Sequence, residues 1–152
     1  ENISKLLKIR ALRDATENDL NKLIKKIPNE DYKKALYVIQ ENKRVKETVK
    51  AINNKNLKMI GLLLYQSHEG LKNLYKVSCD ELDFLVDQTK DNPYILGARM
   101  MGGGFGGCTI NLIKKSEVKN FKKETLKAYL KAFNKNCSFY SIKLSEGTCL
   151  IK

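Results

Sequence analysis

The sequence predicts an α+β domain in which a helical N-terminal half is followed by a mostly antiparallel sheet with helices packed on one face. Three observations predict it. The first half carries apolar residues at spacings of three, four and seven. From Tyr94 onward the order becomes strand, loop, strand, helix, strand, strand. The length of 152 residues suits one compact domain spanning 1–152.

Each element has its own signal. A short helical stretch over 17–26 ends near Pro28, and Asn29 then serves as an N-cap, with Glu30 and Asp31 in a first turn whose dipole favours anions. The helix runs to about Asn53; Tyr32, Ala35, Leu36, Ile39, Val45, Val49 and Ile52 form its expected inner face, with Arg44 opposite. Residues 53–56 make a turn, and the next helix carries Leu57, Ile60, Leu64, Leu71 and Tyr75. Ser78 and Glu81 have the spacing of a capping box, opening a helix with Cys79, Leu82, Leu85 and Val86 as its stripe. Asp91-Asn92-Pro93 breaks that helix. Strands are predicted over 94–101 and 108–113, flanking a glycine-rich loop. Ser116 caps a helix running to about Asn136, with Val118, Phe121, Leu126, Tyr129, Leu130 and Phe133 on one side. Two further strands, 139–144 and 148–151, are joined by a turn at 145–147.

Composition narrows the function classes. The net charge is +12, but only four of the 29 basic residues are arginine, and the lysines are scattered over nearly every polar helix face. Recognition of nucleic acid favours clustered arginine with its planar fork, so nucleic acid is not an expected partner. No apolar run approaches the roughly 18 residues of a membrane span, and the first residues show no signal-peptide pattern. Cytoplasmic location is the expectation. The chain starts at Glu1 and not at methionine, which predicts a piece of a longer polypeptide. Cys79, Cys108, Cys137 and Cys149 form no Cys-x-x-Cys pair and His68 is the single histidine, so no zinc set is expected. Buried, reduced thiols are the expectation.

One segment demands explanation: Gly97-Ala98-Arg99-Met100-Met101-Gly102-Gly103-Gly104-Phe105-Gly106-Gly107-Cys108. Each ordered glycine costs roughly 0.5–1 kcal/mol relative to alanine, about 3–5 kcal/mol for five. A hairpin turn needs only one or two. The surplus implies positive φ, close approach by another segment, or backbone N–H groups turned toward an anion. Tight packing against a neighbouring domain and a phosphate-facing role both satisfy the composition. No Gly-Lys-Ser/Thr follows, and the loop joins two strands, so neither a Walker loop nor a dinucleotide fingerprint fits. Arg99 suits either a phosphate or, better, an acidic partner such as Asp83. His68 lies on its helix's apolar stripe as a hydrogen-bonded core or interdomain residue. Asp80 and Glu81 read as first-turn capping residues and not as an acid–base pair.

The Gly-Ala-Arg-Met-x-Gly-x-Gly-Phe-Gly-Gly-Cys-Thr run from Gly97 to Thr109 resembles the third conserved motif of galactokinases, in the GHMP small-molecule kinase superfamily. Ser67-His68 with Leu71, Tyr75, Val77-Ser78-Cys79 and Glu81-Leu82-Asp83 is similar to the helical segment that precedes the motif there. Leu12-Arg13-Asp14 and Glu41-Asn42-x-Arg44-Val45 resemble it further upstream, so the likeness spans nearly the whole chain in order. Met101 and Gly103 depart from many relatives, which have a small hydroxyl residue and often alanine there.

The resemblance implies the ferredoxin-like GHMP kinase C-terminal fold and the C-terminal part of an enzyme that phosphorylates galactose at its C1 hydroxyl. ATP and Mg2+ would be bound mainly by the N-terminal half of the same enzyme, which would hold the sugar signature and the catalytic groups. Here Gly102, Gly103, Gly104, Phe105 and Gly106 would support the nucleotide-phosphate loop and close the cleft. No residue of this chain is assigned a catalytic or metal-binding role, and the isolated chain is expected to be inactive. A non-catalytic galactose and ATP sensor and an N-acetylgalactosamine kinase resemble the same motif.

Overall fold

The computed structural model describes residues 2–143, 147 and 150. Six α-helices and two strands are described: α1 (Asn2–Leu7), α2 (Glu17–Asn21), α3 (Asn29–Asn53), α4 (Leu57–Gly70), α5 (Asp80–Lys90), β1 (Ile95–Met101), β2 (Cys108–Ile113) and α6 (Val118–Phe133). The helical first half and the small antiparallel sheet follow the expected fold class.

The long α3 begins one residue earlier than its cap signal, with Pro28 as N-cap and Asn29 inside the first turn. Proline there fits, because it fixes the extended backbone that precedes a helix. Its carbonyl accepts the N–H of Tyr32 at 3.0 Å. The N-terminal half of α3 buries Ala35, Tyr37 and Ile39. Its C-terminal half departs from the expected face. Val45, Val49 and Ile52 are more than half exposed, while Glu41, Arg44 and Thr48 are partly covered and Ala51 is buried. The polar side turns inward because Ser67 and Arg99 offer Glu41 partners there.

α4 continues into a π-helical turn (Leu71–Tyr75) that ends at Lys76 in the left-handed conformation, φ 59°. Its buried residues are Gly61, Leu63, Ser67, His68 and Gly70, followed by Leu71; the expected Leu57 is exposed. Small residues occupy that line because α4 lies against the backbone of β1. A Cβ on Gly61 would stand 1.9 Å from the carbonyl oxygen of Leu96, and one on Gly97 would stand 2.3 Å from that of Gly61.

α5 starts without a capping box. Cys79 is the N-cap, and the hydroxyl of Ser78 donates to Asp83 Oδ1 at 2.5 Å instead of capping the backbone. The carboxylate of Glu81 pairs with Lys135, 3.1 Å away. β1 and β2 pair antiparallel, with Met100 opposite Thr109 and Met101 opposite Cys108. α4 and α5 pack on β1, and α6 packs on α5. Phe84 on α5 meets Tyr129 and Phe133 of α6 edge to face, centroids 6.3 and 5.3 Å apart, a favoured arrangement of aromatic quadrupoles. Leu126 and Leu130 of the expected α6 stripe are exposed.

One core cluster joins Tyr37, Leu71, Leu82 and Met100, and a second joins Leu20, Ala35 and Ile39. The strand expected over 139–144 is absent from residues 139–143. A strand needs a ladder partner for its N–H and C=O groups, and among the described residues β1 and β2 pair only with each other. The strand expected over 148–151 lies outside the described residues but for Leu150. Cys79, Cys108 and Cys137 are free thiols as expected, although Cys108 is exposed and the other two are only partly covered. No described helix is long and apolar enough to cross a membrane.

Candidate functional site

The loop from Gly102 to Gly107 leaves the sheet between the paired ends Met101 and Cys108. Its glycines serve different ends. Gly104 has φ +90°, and a Cβ there would lie 2.1 Å from the carbonyl oxygen of Val77. Only glycine meets both demands. The same Val77 carbonyl accepts the N–H of Phe105 at 2.7 Å, so the loop's midpoint is fastened to the segment between the π-turn and α5. At Gly103 a Cβ would meet nothing within 4 Å, and φ is outside the left-handed region.

Phe105 itself sits at φ +58° and is 75% exposed. A bulky residue held there is uncommon, and it costs on the order of 1–2 kcal/mol. The N–H groups of Gly103, Gly104 and Gly106 have no hydrogen-bond partner among the described residues. The loop therefore presents backbone dipoles and an aromatic ring outward, with no side chain that gives or takes a proton.

Beneath the loop lies a buried polar network. His68 is 1% exposed. Its Nδ1 accepts the N–H of Met100 at 3.2 Å, which places the imidazole proton on Nε2. Nε2 lies 3.3 Å from Asp83 Oδ1, although the two are not aligned as a hydrogen bond. Burial holds the His68 pKa below its ordinary value of 6.5, with the Asp83 carboxylate opposing. The ring is thus neutral at physiological pH. Asp83 also pairs with Lys72 of the π-turn, 3.0 Å away, and this bond raises the pKa of that lysine.

A second cluster surrounds Glu41 on α3. Its carboxylate accepts from Ser67 at 2.6 Å and from Arg99 at 3.2 Å, and it pairs with Arg44. Arg99 also donates through Nε to the Met100 carbonyl at 2.9 Å. The expected ion pair of Arg99 is therefore present, with Glu41 and not Asp83 as partner. β1 directs Arg99 toward α3, while Asp83 is engaged by Lys72, Ser78 and His68. His68 is the hydrogen-bonded core residue that its stripe implied.

The structure places Gly102, Gly103, Gly104, Phe105 and Gly106 together on one outward loop, and it adds Val77 and Asp83 beneath them. Sequence reasoning missed both. Val77 acts through its carbonyl, which no side-chain pattern reports, and Asp83 reads in the sequence as a partner for Arg99 and not as support beneath the loop. Among the described residues no three His, Cys, Asp or Glu side chains converge to hold a metal ion. A surface depression lined by Arg44, Tyr65, Glu69, Leu74 and Lys90 includes no loop residue.

The chain is similar in sequence and fold to known proteins. The sequence profile described as GHMP kinases C terminal matches residues 48–132, just over half of the chain. A galactokinase of Thermotoga neapolitana is 42% identical over 147 residues, covering 97% of this chain and 41% of that protein. A galactokinase of Lactobacillus helveticus is 38% identical over 143 residues, 93% of this chain and 37% of that protein. The crystal structure of Lactococcus lactis galactokinase complexed with galactose superimposes with a TM-score of 0.83 at 32% identity, covering 91% of this chain and 38% of that one. The chain thus spans about two fifths of the length of the relatives it matches.

Proposed function

This chain belongs to the GHMP kinase C-terminal family, and on that premise we propose that it is the C-terminal part of a cytoplasmic galactokinase. The complete enzyme would transfer the γ-phosphoryl group of ATP to the C1 hydroxyl of galactose. One observation carries the reading: relatives named galactokinase match 97% of the chain at about 40% identity. The galactose-bound structural neighbour supports the same sugar.

Within that enzyme this domain closes the cleft and supports the nucleotide-phosphate loop through Gly102, Gly103, Gly104, Phe105 and Gly106. Phosphoryl transfer depends on positioning and on neutralising charge spread over phosphate oxygens, with little covalent work for the protein. The three unpartnered N–H groups of the loop suit that task. They suit phosphate oxygens and not magnesium, which takes carboxylate and water ligands. The Mg2+ that accompanies ATP would therefore be held by the remainder of the polypeptide, as would the sugar and the groups that handle its proton.

The test is an ADP-release assay on the complete polypeptide with galactose, with N-acetylgalactosamine and without sugar. Turnover with galactose is the expected result. Turnover only with N-acetylgalactosamine would reassign the sugar, and ATP binding without turnover on either would move the reading to a sensor. The isolated 152-residue chain is expected to form no galactose 1-phosphate; measurable product would overturn the division of labour.

A further inference from the structure

A closed ring of contacts runs beneath the glycine-rich loop. Met100, two residues before Gly102, donates its N–H to His68 Nδ1 at 3.2 Å. His68 Nε2 meets Asp83 Oδ1 at 3.3 Å. Asp83 accepts the hydroxyl of Ser78 at 2.5 Å. Ser78 is bonded to Val77, whose carbonyl accepts the N–H of Phe105 at 2.7 Å. From Phe105 the chain itself leads back through Gly104, Gly103 and Gly102 to Met100.

We propose that His68 and Asp83 are positioning residues for the glycine-rich loop, joining the strand that enters it to the segment that holds its midpoint. The proposal rests on the reading that this loop closes the cleft and supports the nucleotide-phosphate loop. Space-filling does not account for this arrangement. A leucine or methionine would occupy the site of a 1% exposed imidazole without the cost of desolvating it. The imidazole adds direction, because one ring nitrogen accepts from β1 while the other meets α5.

The carboxylate also gathers more than the cap of one helix requires. Asp83 takes Lys72 from the π-turn as well as Ser78. Val77 is held back on that turn by its N–H to the Leu71 carbonyl, 3.1 Å away. The π-turn thus brings the chain back under the loop, and Asp83 locks it there. Such turns recur at functional sites because they re-aim the chain beyond them. Here the re-aimed residue is Val77, whose carbonyl holds Phe105. Displacement of either arm shifts the three free N–H groups, and phosphoryl transfer is sensitive to that.

Two variants of the complete polypeptide cut one arm each. In His68→Asn the amide oxygen stands near the Nδ1 position, keeping Met100 and losing Asp83. In His68→Gln the amide reaches the Nε2 position, keeping Asp83 and losing Met100. The readouts are kcat, the KM for ATP, the KM for galactose and the melting temperature. The expected result is a loss of about ten- to a hundredfold in kcat/KM for ATP, with the KM for galactose unchanged, in protein still folded at the assay temperature. Unchanged ATP kinetics in the folded variants overturns the proposal. Parallel loss on both substrates does so too, because it marks general destabilisation.

Gly103→Glu, which sets a carboxylate in the open space at that position, serves as the control for the loop reading. If it lowers turnover while the His68 variants do not, the ring is refuted and the loop reading stands; if it leaves turnover intact, both fall. Should the His68 variants not fold, Ser78→Ala cuts the ring from outside. It is then expected to speed amide exchange of the Phe105 N–H about tenfold, the effect of losing one modest hydrogen bond, and unchanged exchange overturns the proposal.

Discussion

Glutamate at position 103 and alanine at position 104 separate packing from function in the loop. At Gly104 the new Cβ would stand 2.1 Å from the Val77 carbonyl oxygen and 2.7 Å from the Val77 Cβ. Nonbonded heavy atoms pack at about 3.5 Å, so Val77 or the loop must yield by more than an ångström. The left-handed backbone, φ +90°, adds about 1–2 kcal/mol for a residue with a Cβ. Losing the Phe105 to Val77 hydrogen bond adds about 1 kcal/mol. A loss of about 2–3 kcal/mol lowers the melting temperature by about 5–10 °C for a unit of this size. At Gly103 neither contact nor strain arises, and stability should hold within about 0.5 kcal/mol. The assay is ADP release per folded molecule of the complete polypeptide, beside a melt of the same sample. Both variants should lose turnover, Gly103→Glu by about tenfold or more without any change in melting, because its carboxylate repels phosphate. Full turnover in Gly103→Glu would refute the reasoning and leave the loop's glycines as packing devices.

Gly61→Ala should cost about 3 kcal/mol, the upper range for overpacking, since its methyl would meet the Leu96 carbonyl at 1.9 Å; an unchanged urea midpoint would deny the α4–β1 contact. Glu41→Gln removes the charge that Arg99 and Arg44 share, and about 1–3 kcal/mol of stability should go with it, read as a shift in the same midpoint. Acid should weaken the domain through His68. Its pKa is depressed in the folded state, by burial first, with Asp83 and Glu69 opposing and Lys72 and Lys90 reinforcing. The unfolded chain therefore binds the proton more readily, and stability present above about pH 6.5 is lost as pH falls toward the folded-state value, by at most about 1.4 kcal/mol per pH unit. Melts between pH 5 and 7 should show that slope, and His68→Gln should flatten it; equal slopes would show that His68 is not the titrating group.

The sequence alone determined the element order from α2 to α6, and the loop. Periodicity located α3, α5, β1, β2 and α6, because apolar spacing is a local property of the chain. The glycine run announced itself by composition, since so many glycines are costly without a backbone reason. Other features depended on what each helix meets. Val45, Val49 and Ile52 read as core, yet in this domain they lie outside and Glu41 and Arg44 lie inside. Hydropathy reports which side of a helix is apolar, and it does not report whether that side meets this domain's own core.

Ser78 and Glu81 had the spacing of a capping box, but Asp83, five residues on, claimed Ser78, and Lys135 claimed Glu81 from across the fold. A cap competes with every other partner that tertiary structure brings within reach. The anchor of the loop was invisible for a simpler reason. It is the carbonyl of Val77, every residue has a carbonyl, and only the path of the chain decides which one stands beneath Phe105.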